Sequence, residues 1–438
     1  MNLSHALAER ILQSQPDAAA RDAARTGVQD FLAVSWPVLQ QQVPDSGLPA
    51  LRQVYGDGSV RSQALLLGYA GHALDYDDFH ADFRGHPSVA ILPALFAWQQ
   101  QQPATAEAFL DAYVIGVEVA GRLGLAASQQ HYALGYHNTA TLGTLAAAAA
   151  LARLLQLNAT DCATLIGIAA TQASGLRAQF GSAVKPLHAG LAAERAVMAA
   201  QLTLAKFDGR HEGVLDAFLA ASSNGEAQPQ RLVENWGAPW RISAPGLEFK
   251  PFPTCAGTHS AAEAARLLRR AWLAEGHSLD SLLVNIDDIT VAFPPGGDIA
   301  AAVRVPANGI EARFSLEYVI AAMLMYDDIR LEDFAEGALN PAVMPLAAKV
   351  RRTPDASAPP DALNPARRFH LVTLTLKEGR QLQQRRTRQQ SLADGVDVAA
   401  KLRQALRHEV PARQQQLLAI SELQSTADLA TLSQLLRA

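Results

Sequence analysis

The residues best suited to chemistry lie in one short window in the first quarter of the chain. Residues 68–93 read GYAGHALDYDDFHADFRGHPSVAILP. Only 18% of the whole chain is charged, and titratable groups set among apolar elements are costly to bury unless they are paired or used. The window therefore predicts either a solvated loop or a functional site. Its three histidines and four aspartates fall within fifteen residues: His72, Asp75, Asp77, Asp78, His80, Asp82 and His86.

Two residues are candidates for moving a proton. Asp75 follows an apolar helical segment, where the helix macrodipole disfavours a negative charge, and a carboxylate there suits a proton carrier. His137 stands before a long helix of small residues, with Asn138 or Thr139 as its expected cap. A helix N-terminus favours neutral imidazole, the form that accepts a proton. The structural alternatives are a charged loop for the window and a buried, hydrogen-bonded histidine for His137.

Lys185 is a candidate for binding an anion. It immediately precedes Pro186 at a predicted helix start, where a cation is electrostatically misplaced unless an anion arrives. Helix N-termini bind anions through free N–H groups. Lys185 and the amides near Leu187 and His188 therefore predict a carboxylate site, and an exposed lysine is the alternative.

Two further candidates lie in the second half of the chain. His259 ends the stretch KPFPTCAGTH, which begins at Lys250, and it falls at a candidate domain junction, where clefts commonly form. Tyr318 opens a predicted helix after Arg313 and the two residues that follow it. A surface histidine and a packing tyrosine are the corresponding structural alternatives.

Length and composition indicate a soluble globular protein with two domains. The chain has 438 residues, 49% of them apolar, and a net charge of −5. This charge gives no general attraction to nucleic acid or acidic membranes. Two cysteines form no disulfide framework, and the first residues show no apolar signal-peptide core. We therefore expect a cytoplasmic protein with neither nucleic acid nor membrane as a partner.

The fold class predicted from the order of patterns is mainly α. Helical periodicity dominates the first half of the chain and returns from Asp397 onward. Between them, residues 283–293 and 369–376 have the β-branched, partly alternating pattern of strands, and Gln381–Arg386 follows a hairpin turn. A helix is expected over residues 316–325 and a surface loop over 354–365. We predict an all-helical domain from residues 1–247 and 396–438, and an α+β lid from residues 248–395.

Several other classes of site are disfavoured. The Asp-rich part of the window is similar to the magnesium–diphosphate motif of helical isoprenoid synthases, but the spacing differs by one and a second such motif is absent from the sequence. The density of histidine and aspartate suggests a metal, but no ligand pair at helical spacing is matched by a second pair. The sequence also has no Gly-rich phosphate loop and no nucleophile elbow. These observations disfavour a magnesium–diphosphate site and a metal site.

Five motifs in order resemble the MmgE/PrpD family, which includes 2-methylcitrate dehydratase, cis-aconitate decarboxylase and iminodisuccinate epimerase. They cover most of the chain and are HALDYDDFH with HPS (72–88), GYHNTATLGT (135–144), SGL with FGSAVKPLHAG (174–190), KPFPTC with TH (250–259) and FSLEY (314–318). The resemblance implies a helical domain built from both chain ends, an α+β lid, a homodimer, and catalysis without metal or organic cofactor.

The resemblance also implies which residues form the active site. Family positions match at Asp75, His86, His137, Lys185, His259 and Tyr318, and we add His188 and Lys250 as substrate-binding residues. The family usually has Thr at Phe79, Pro at Asn138 and Arg-Tyr at Ala256-Gly257. The missing arginine weakens the case for a tricarboxylate such as 2-methylcitrate.

The implied reaction removes a proton or a carboxylate next to a carboxylate. We expect Lys185 and His259 to clamp the substrate carboxylates. We expect His137, or Asp75 acting through His137, to move the proton. Tyr318 is expected to protonate the leaving group or the opposite carbon face. These groups are expected to share one pocket. The first expectation is a hydro-lyase of the 2-methylcitrate dehydratase type. The alternatives are an epimerase of an amino- or imino-dicarboxylate, a cis-aconitate-type decarboxylase, and, outside the family, a non-catalytic helical binding protein.

Overall fold

Helices form the first half of the chain, as the apolar periodicity predicts. The computed structural model describes residues 2–363 and 367–437. The first eleven α-helices contribute to one compact unit, unit 1, which comprises Met1–Ala73, Asp77–Phe249 and Asp397–Ala438. They are α1 Leu3–Gln13, α2 Ala18–Leu39, α3 Gly47–Val54, α4 Val60–His72, α5 Ser88–Gln101, α6 Ala106–Ala126, α7 Ser128–Ala133, α8 Thr141–Leu154, α9 Ala159–Ala170, α10 Val184–Leu204 and α11 Val214–Ser222.

Small residues let the central helices of unit 1 approach closely. Residues 141–152 of α8 are all buried, and most of them are Ala, Leu or Gly. Gly68 of α4 faces Gly190 of α10, and a Cβ built on Gly68 would lie only 2.7 Å from the Gly190 Cα. No larger residue fits this crossing without displacing backbone. The crossing fixes α4 against α10, and these two helices carry His72, Lys185 and His188.

The second unit contains a four-stranded sheet with helices. Unit 2 comprises Leu74–Tyr76 and Lys250–Val396. Its sheet has the order β2-β1-β3-β4, in which β1 and β2 are parallel and the other pairs are antiparallel. The elements are α12 His259–Ala274, α13 Leu279–Asn285, β1 Ile286–Ala292, α14 Gly309–Ala312, α15 Leu316–Tyr326, α16 Met344–Ala347, β2 Val350–Arg352, β3 Phe369–Leu376, β4 Gln381–Thr387 and α17 Arg388–Asp394.

The predicted bounds of β3 and β4 agree closely with the structure. Strand β3 has the predicted bounds, and β4 extends one residue further than predicted. The predicted strand over residues 283–293 is confirmed for residues 286–292 by β1, but its predicted start was wrong because residues 283–285 form the end of α13. Ser278 caps that helix by accepting a hydrogen bond from the Ser281 N–H, which starts a helix before the β-branched run begins. The predicted helix over residues 316–325 is confirmed by α15.

The predicted loop over 354–365 contains little regular structure where it is described. Residues 354–363 include one short 3-10 turn, Asp361–Leu363, and most of them are exposed. Asp361 is buried and pairs with Arg368. Residues 364 and 365 lie outside the described residues. In the described part of the chain, no helix combines the length and the apolar character needed to cross a bilayer.

The C-terminal helices complete unit 1, so both ends of the chain build one helical body. They are α18 Val398–Ala405, α19 Pro411–Ile420 and α20 Thr426–Leu435. A buried ion pair joins α18 to α2, with the Lys401 Nζ 2.7 Å from the Asp30 Oδ1. Asp30 is 1% exposed and Lys401 is 7% exposed. The mainly α fold built from both chain ends, with a smaller α+β part inserted before the last helices, is therefore confirmed.

We expect Lys401→Met to lower the free energy of unfolding by about 3–5 kcal/mol, because it leaves the Asp30 carboxylate buried without its ammonium partner. The measurement is urea unfolding followed by circular dichroism. Asp30→Asn combined with Lys401→Met should recover much of the loss, since both charges are then removed. The exposed Lys377, replaced by Met, is the matched control and should change stability by less than about 0.5 kcal/mol. Equal effects of the two single lysine variants would contradict this role for the pair.

Candidate active site

Four buried histidines of unit 1 gather around one carboxylate and one ammonium group. Two of these histidines lie within the sequence window, at the end of α4 and just before α5, and the others belong to the approach to α8 and the first turns of α10. All six side chains belong to residues no more than 9% exposed. We name this group the histidine cluster: His72, His86, His137 and His188 with Asp77 and Lys185.

Asp77 binds two of these histidines at once. Its Oδ1 and Oδ2 both lie 2.9 Å from the His72 Nδ1, and its Oδ2 lies 3.1 Å from the His86 Nδ1. The two imidazole centroids are 4.7 Å apart. The His86 Nδ1 also lies 2.6 Å from the backbone oxygen of Asp78. One carboxylate therefore fixes the orientation of two imidazole rings.

His137 joins the cluster through His188 and Phe180. The Nδ1 atoms of His137 and His188 are 3.1 Å apart, so one donates a hydrogen and the other accepts it. The Phe180 ring meets the His137 ring edge to face at 5.0 Å, and the Lys185 ammonium lies over the same ring at 5.4 Å. The His137 ring also stacks at 5.9 Å on His72. His137 and Lys185 therefore both contact one aromatic ring.

The predicted helix cap beside His137 is wrong. The helix begins at Thr141, after Ala140, which has no side chain able to cap it. Asn138 instead donates from its Nδ2 to the Phe83 carbonyl at 2.8 Å, and the Thr139 hydroxyl accepts from the His86 N–H at 3.0 Å. Both polar side chains therefore stabilise the loop that carries His86. Tertiary contacts supplied better partners for them than the local helix end did.

The predicted anion site of free amides at the start of α10 is also wrong in part. The Leu187 N–H donates to the Ala183 carbonyl at 3.3 Å, and the Lys185 N–H donates to the Ser182 carbonyl at 3.1 Å. The helix starts at Val184, one residue before the lysine, so these amides already have partners. Any anion-binding capacity at this helix start resides in the Lys185 ammonium group.

Burial lowers the pKa of three histidines of the cluster and favours their neutral form. It lowers the pKa of His72 to about 3, although the Asp77 carboxylate acts in the opposite direction. Burial also lowers the pKa of His188 to about 4, with Arg195 and Lys185 adding to the shift. The pKa of His137 lies well below its ordinary value because of burial, and the positive charges of His72 and Lys185 lower it further. The expectation of a neutral His137 is confirmed, but burial is its main cause.

The adjacent carboxyl groups of Asp77 and Asp78 differ in charge. Burial acts to raise the pKa of Asp77, but the two imidazoles bound to it outweigh burial and hold that pKa well below its ordinary value. Burial raises the pKa of Asp78 well above its ordinary value, and the nearby Asp30 adds to the shift. Asp78 contacts the Ser88 hydroxyl, which in turn contacts the Tyr113 hydroxyl. Asp77 is therefore held as a carboxylate, whereas the surroundings of Asp78 favour its neutral acid.

Neutral buried histidines make the fold sensitive to acid. Burial lowers the pKa of His131 to about 4 and that of His370 to about 3, against about 6.5 in an unfolded chain. Between these values the unfolded chain binds more protons, so the free energy of unfolding falls as the pH falls. We expect each of these histidines to cost about 2 kcal/mol between pH 7 and pH 5, measured by urea unfolding at both pH values.

Variants at His131 and His277 test the cause of this acid effect. His131→Gln should make the pH dependence of the free energy of unfolding shallower, because it removes one titrating group. The exposed His277, replaced by Gln, should leave that dependence unchanged. An identical pH dependence in wild type and His131→Gln would show that His131 is not buried in its neutral form.

The sequence-predicted residues of unit 2 include a second buried pair. Asp75 has a φ of +51° and so leaves the helical path directly after α4. Its Oδ1 lies 2.8 Å from the Lys250 Nζ, which also donates to the Asp75 backbone oxygen at 2.7 Å. An ammonium at this distance favours the ionised carboxylate. Lys250 therefore gives the Asp75 carboxylate a direct charge partner.

His259 and Tyr318 occupy helix starts within unit 2. His259 is the first residue of α12, and its Nε2 donates to the Thr254 carbonyl at 3.0 Å. The Tyr318 hydroxyl accepts from the Asn340 N–H at 3.2 Å. Burial raises the pKa of Tyr318 above its ordinary value, so its phenol keeps a hydrogen to donate at neutral pH. Both side chains belong to residues less than 9% exposed.

Some residues of the cluster could in principle hold a metal. Atoms of ligand type on His72, Asp77 and His86 lie within 4.8 Å of one another. The His86 Nδ1, however, faces the Asp78 carbonyl at 2.6 Å, and a carbonyl oxygen can only accept a hydrogen. The hydrogen on that nitrogen occupies the position that a metal-binding lone pair would need. In this arrangement the His86 Nδ1 is a hydrogen-bond donor, and the expected absence of a metal stays a prediction.

Two members of the cluster, His72 and Asp77, have no site role predicted from the sequence. Both lie in the dense window, where nothing in the sequence distinguishes them from the other titratable residues. Their spacing of five residues spans the end of α4 and gives no helical register. The signal that could have identified them was the concentration of titratable residues in the window. The structure places three of these residues, His72, Asp77 and His86, in the cluster.

The chain matches two domains of one protein family over most of its length. Residues 3–228 match the MmgE/PrpD N-terminal domain, and residues 252–425 match the MmgE/PrpD C-terminal domain. The chain is 31% identical to the cis-aconitate decarboxylase of Homo sapiens over 74% of this chain and 68% of the relative. For the Mus musculus enzyme the identity is 29%, over 72% and 64%. For a cis-aconitate decarboxylase of Aspergillus terreus it is 28%, over 64% and 60%.

Proposed function

The chain belongs to the MmgE/PrpD family, and on this premise we propose that it is a lyase that decarboxylates a small unsaturated polycarboxylate such as cis-aconitate. The observation that carries the proposal is the buried Lys185 side chain beside His72, His137 and His188, whose pKa values burial lowers. A positive group in a low-dielectric site stabilises negative charge that develops on a substrate. The cis-aconitate decarboxylases similar to this chain support decarboxylation over the hydro-lyase reaction expected first from the motifs.

The proposed reaction breaks one carbon–carbon bond and consumes one proton. In an acid whose carboxylate-bearing carbon adjoins a double bond, the bond to that carboxylate breaks and carbon dioxide leaves. The electron pair moves into the carbon skeleton and shifts the double bond, so that negative charge develops next to a second carboxylate. Lys185 stabilises that charge. A proton added at this carbon completes the reaction.

The histidine cluster supplies and receives this proton. Each neutral imidazole carries one N–H and one lone pair, so the His137–His188 pair can pass a proton along its 3.1 Å contact. We assign the transfer to carbon to His137. An anionic substrate offsets the charge of Lys185, and this allows the histidines to gain a proton when the substrate binds. Binding of the anionic substrate therefore favours protonation of the histidines that donate the proton.

The residues of unit 2 keep the roles that the family resemblance implies, as part of the proposal. His259 clamps a second carboxylate, and Tyr318, whose phenol stays protonated, is a second proton donor. The Asp75 carboxylate, paired with Lys250, acts on the proton transfer through its charge. The homodimer and the cytoplasmic location likewise stay predictions, and light scattering of the purified protein tests the first of them.

The deciding experiment measures carbon dioxide and deuterium together. The purified protein is incubated in deuterated water with cis-aconitate and with a panel of unsaturated, hydroxy- and amino-di- and tricarboxylates. We expect release of carbon dioxide with one deuterium in the product. A hydroxy acid that loses water without carbon dioxide would replace the proposal with a hydro-lyase, and label exchange alone would replace it with an epimerase. No turnover on any member of the panel would favour the binding-protein alternative.

A control for contaminating enzymes comes from the chain itself. The double variant His137→Ala, Lys185→Ala is purified in the same way and assayed with the same panel. Turnover that persists at the wild-type rate in this preparation would not belong to the histidine cluster. Turnover that disappears links the measured reaction to these two residues.

A further inference from the structure

We propose that Asp77 is a positioning residue that sets the same proton arrangement on His72 and His86, leaving the Nε2 of each ring as a proton acceptor. The proposal deepens the proposed function and rests on it for its catalytic consequence. Its structural part stands by itself, because it concerns hydrogen positions in the protein without substrate. Neither His72 nor Asp77 has a role in the reaction as described so far.

The contacts of His86 determine where its hydrogen lies. Its Nδ1 is 2.6 Å from the Asp78 carbonyl oxygen and 3.1 Å from the Asp77 Oδ2. Both neighbours can only accept a hydrogen when Asp77 is ionised. The Nδ1 of His86 therefore carries the hydrogen, and in the neutral ring the lone pair lies on the Nε2.

The same reasoning applies to His72. Its Nδ1 lies 2.9 Å from both oxygens of the Asp77 carboxylate, so this nitrogen also carries the hydrogen. The Nε2 of His72 is buried and has no hydrogen-bond partner in the described part of the chain, and His72 is 1% exposed. A buried polar atom without a partner is costly. We expect such a cost at a nitrogen, here the His72 Nε2, whose lone pair serves as a proton acceptor.

A single carboxylate that controls two rings explains why they share one arrangement. Free imidazole exchanges its hydrogen between the two nitrogens, and a buried carboxylate bound to Nδ1 selects one form and holds the ring in place. Here the two rings lie 4.7 Å apart on one carboxylate. Removal of its negative charge takes the only acceptor from the His72 Nδ1 that the described residues provide, and leaves the His86 Nδ1 with the Asp78 carbonyl.

Asp78 provides a matched comparison one residue away. Both aspartates are buried, at 1% and 0% exposure. The Asp78 side chain contacts Ser88, whose N–H lies 3.4 Å from the Asp78 Oδ1, while His86 uses only the backbone oxygen of Asp78. Asp78→Asn thus replaces a neutral acid with a neutral amide and retains the carbonyl, whereas Asp77→Asn removes the charge that orders the rings.

The primary test is nitrogen-15 NMR of the full chain labelled at histidine, which distinguishes protonated Nδ1 from protonated Nε2. Single variants His72→Gln and His86→Gln assign the two signals. In wild type at neutral pH we expect both rings to carry hydrogen on Nδ1. Asp78→Asn should retain this arrangement, and Asp77→Asn should lose it on His72, while His86 keeps the Asp78 carbonyl as its acceptor. Hydrogen on the Nε2 of either ring in wild type would overturn the proposal, and this measurement does not depend on whether Asp77→Asn folds.

The catalytic consequence is tested with the substrate that the carboxylate panel identifies. Asp77→Asn should lower kcat by roughly 100-fold or more with little change in KM, as expected when a proton acceptor loses its orientation. It should also flatten the acidic limb of the pH profile. Asp82→Asn, which alters a carboxylate of the same loop paired with Arg241, is the control and should retain kcat within about threefold. A kcat unchanged by Asp77→Asn would overturn the catalytic part. A failed decarboxylation assay with the expected NMR result would contradict only the proposed function.

Discussion

Lys185→Ala is expected to lower turnover by about 10²–10³-fold, because it removes a preorganised positive group from a buried site where negative charge develops. The lysine is 4% exposed and lies over the Phe180 ring that also contacts His137. Its charge lowers the pKa of His72, His137 and His188, after burial. The variant should therefore also raise the pKa of these histidines, which histidine NMR across a pH series measures.

Two control variants separate the charge of Lys185 from its contribution to packing. Lys185→Arg retains the positive charge in a larger group and should recover part of the turnover and the lowered histidine pKa values. Lys206→Ala changes an exposed lysine that follows the same helix and pairs with Asp161, so it should behave as wild type. Loss of turnover in Lys185→Ala without any rise in the histidine pKa values would indicate a packing role instead of an electrostatic one.

His137→Ala is expected to lower turnover by about 10²–10⁴-fold, the range for loss of a general acid or base. The side chain is 2% exposed and is held by His188, His72 and Phe180. Because the proposed role is proton transfer to carbon, kcat should fall more than KM rises. Steady-state kinetics with the identified substrate separates the two parameters.

His211→Gln is the control for His137, since it replaces an exposed histidine of the same unit and should not change turnover. A slow reaction in His137→Ala that incorporates deuterium without stereochemical preference would support loss of a directed proton donor. If His137→Ala and Lys185→Ala both retain full turnover, the assignment of the active site to the histidine cluster is wrong.

Local pattern was sufficient to predict the fold class and several elements. The alternation of residues 369–376 predicts β3 with its exact bounds, because a strand buried on both sides depends mainly on its own β-branched and apolar residues. Helical periodicity likewise predicts the helices at both chain ends. Helix starts were predicted less well, since Asn138 and Thr139 have the composition of caps but bind the loop of His86 instead. The side chain of a potential cap residue forms a hydrogen bond with whichever backbone group the tertiary structure brings nearest.

The sequence by itself determined which residue types were available for chemistry, and it identified His86, His137, Lys185 and His188 as site candidates before their contacts were known. Only the tertiary structure decided the charges of Asp77 and Asp78, which are neighbours of identical type. The two imidazoles bound to Asp77 lower its pKa, whereas burial and the nearby Asp30 raise the pKa of Asp78. The tertiary structure also placed Lys250 against Asp75, far away in the chain. A charge state depends on burial and on partners brought by other helices, and neither can be read from adjacent residues.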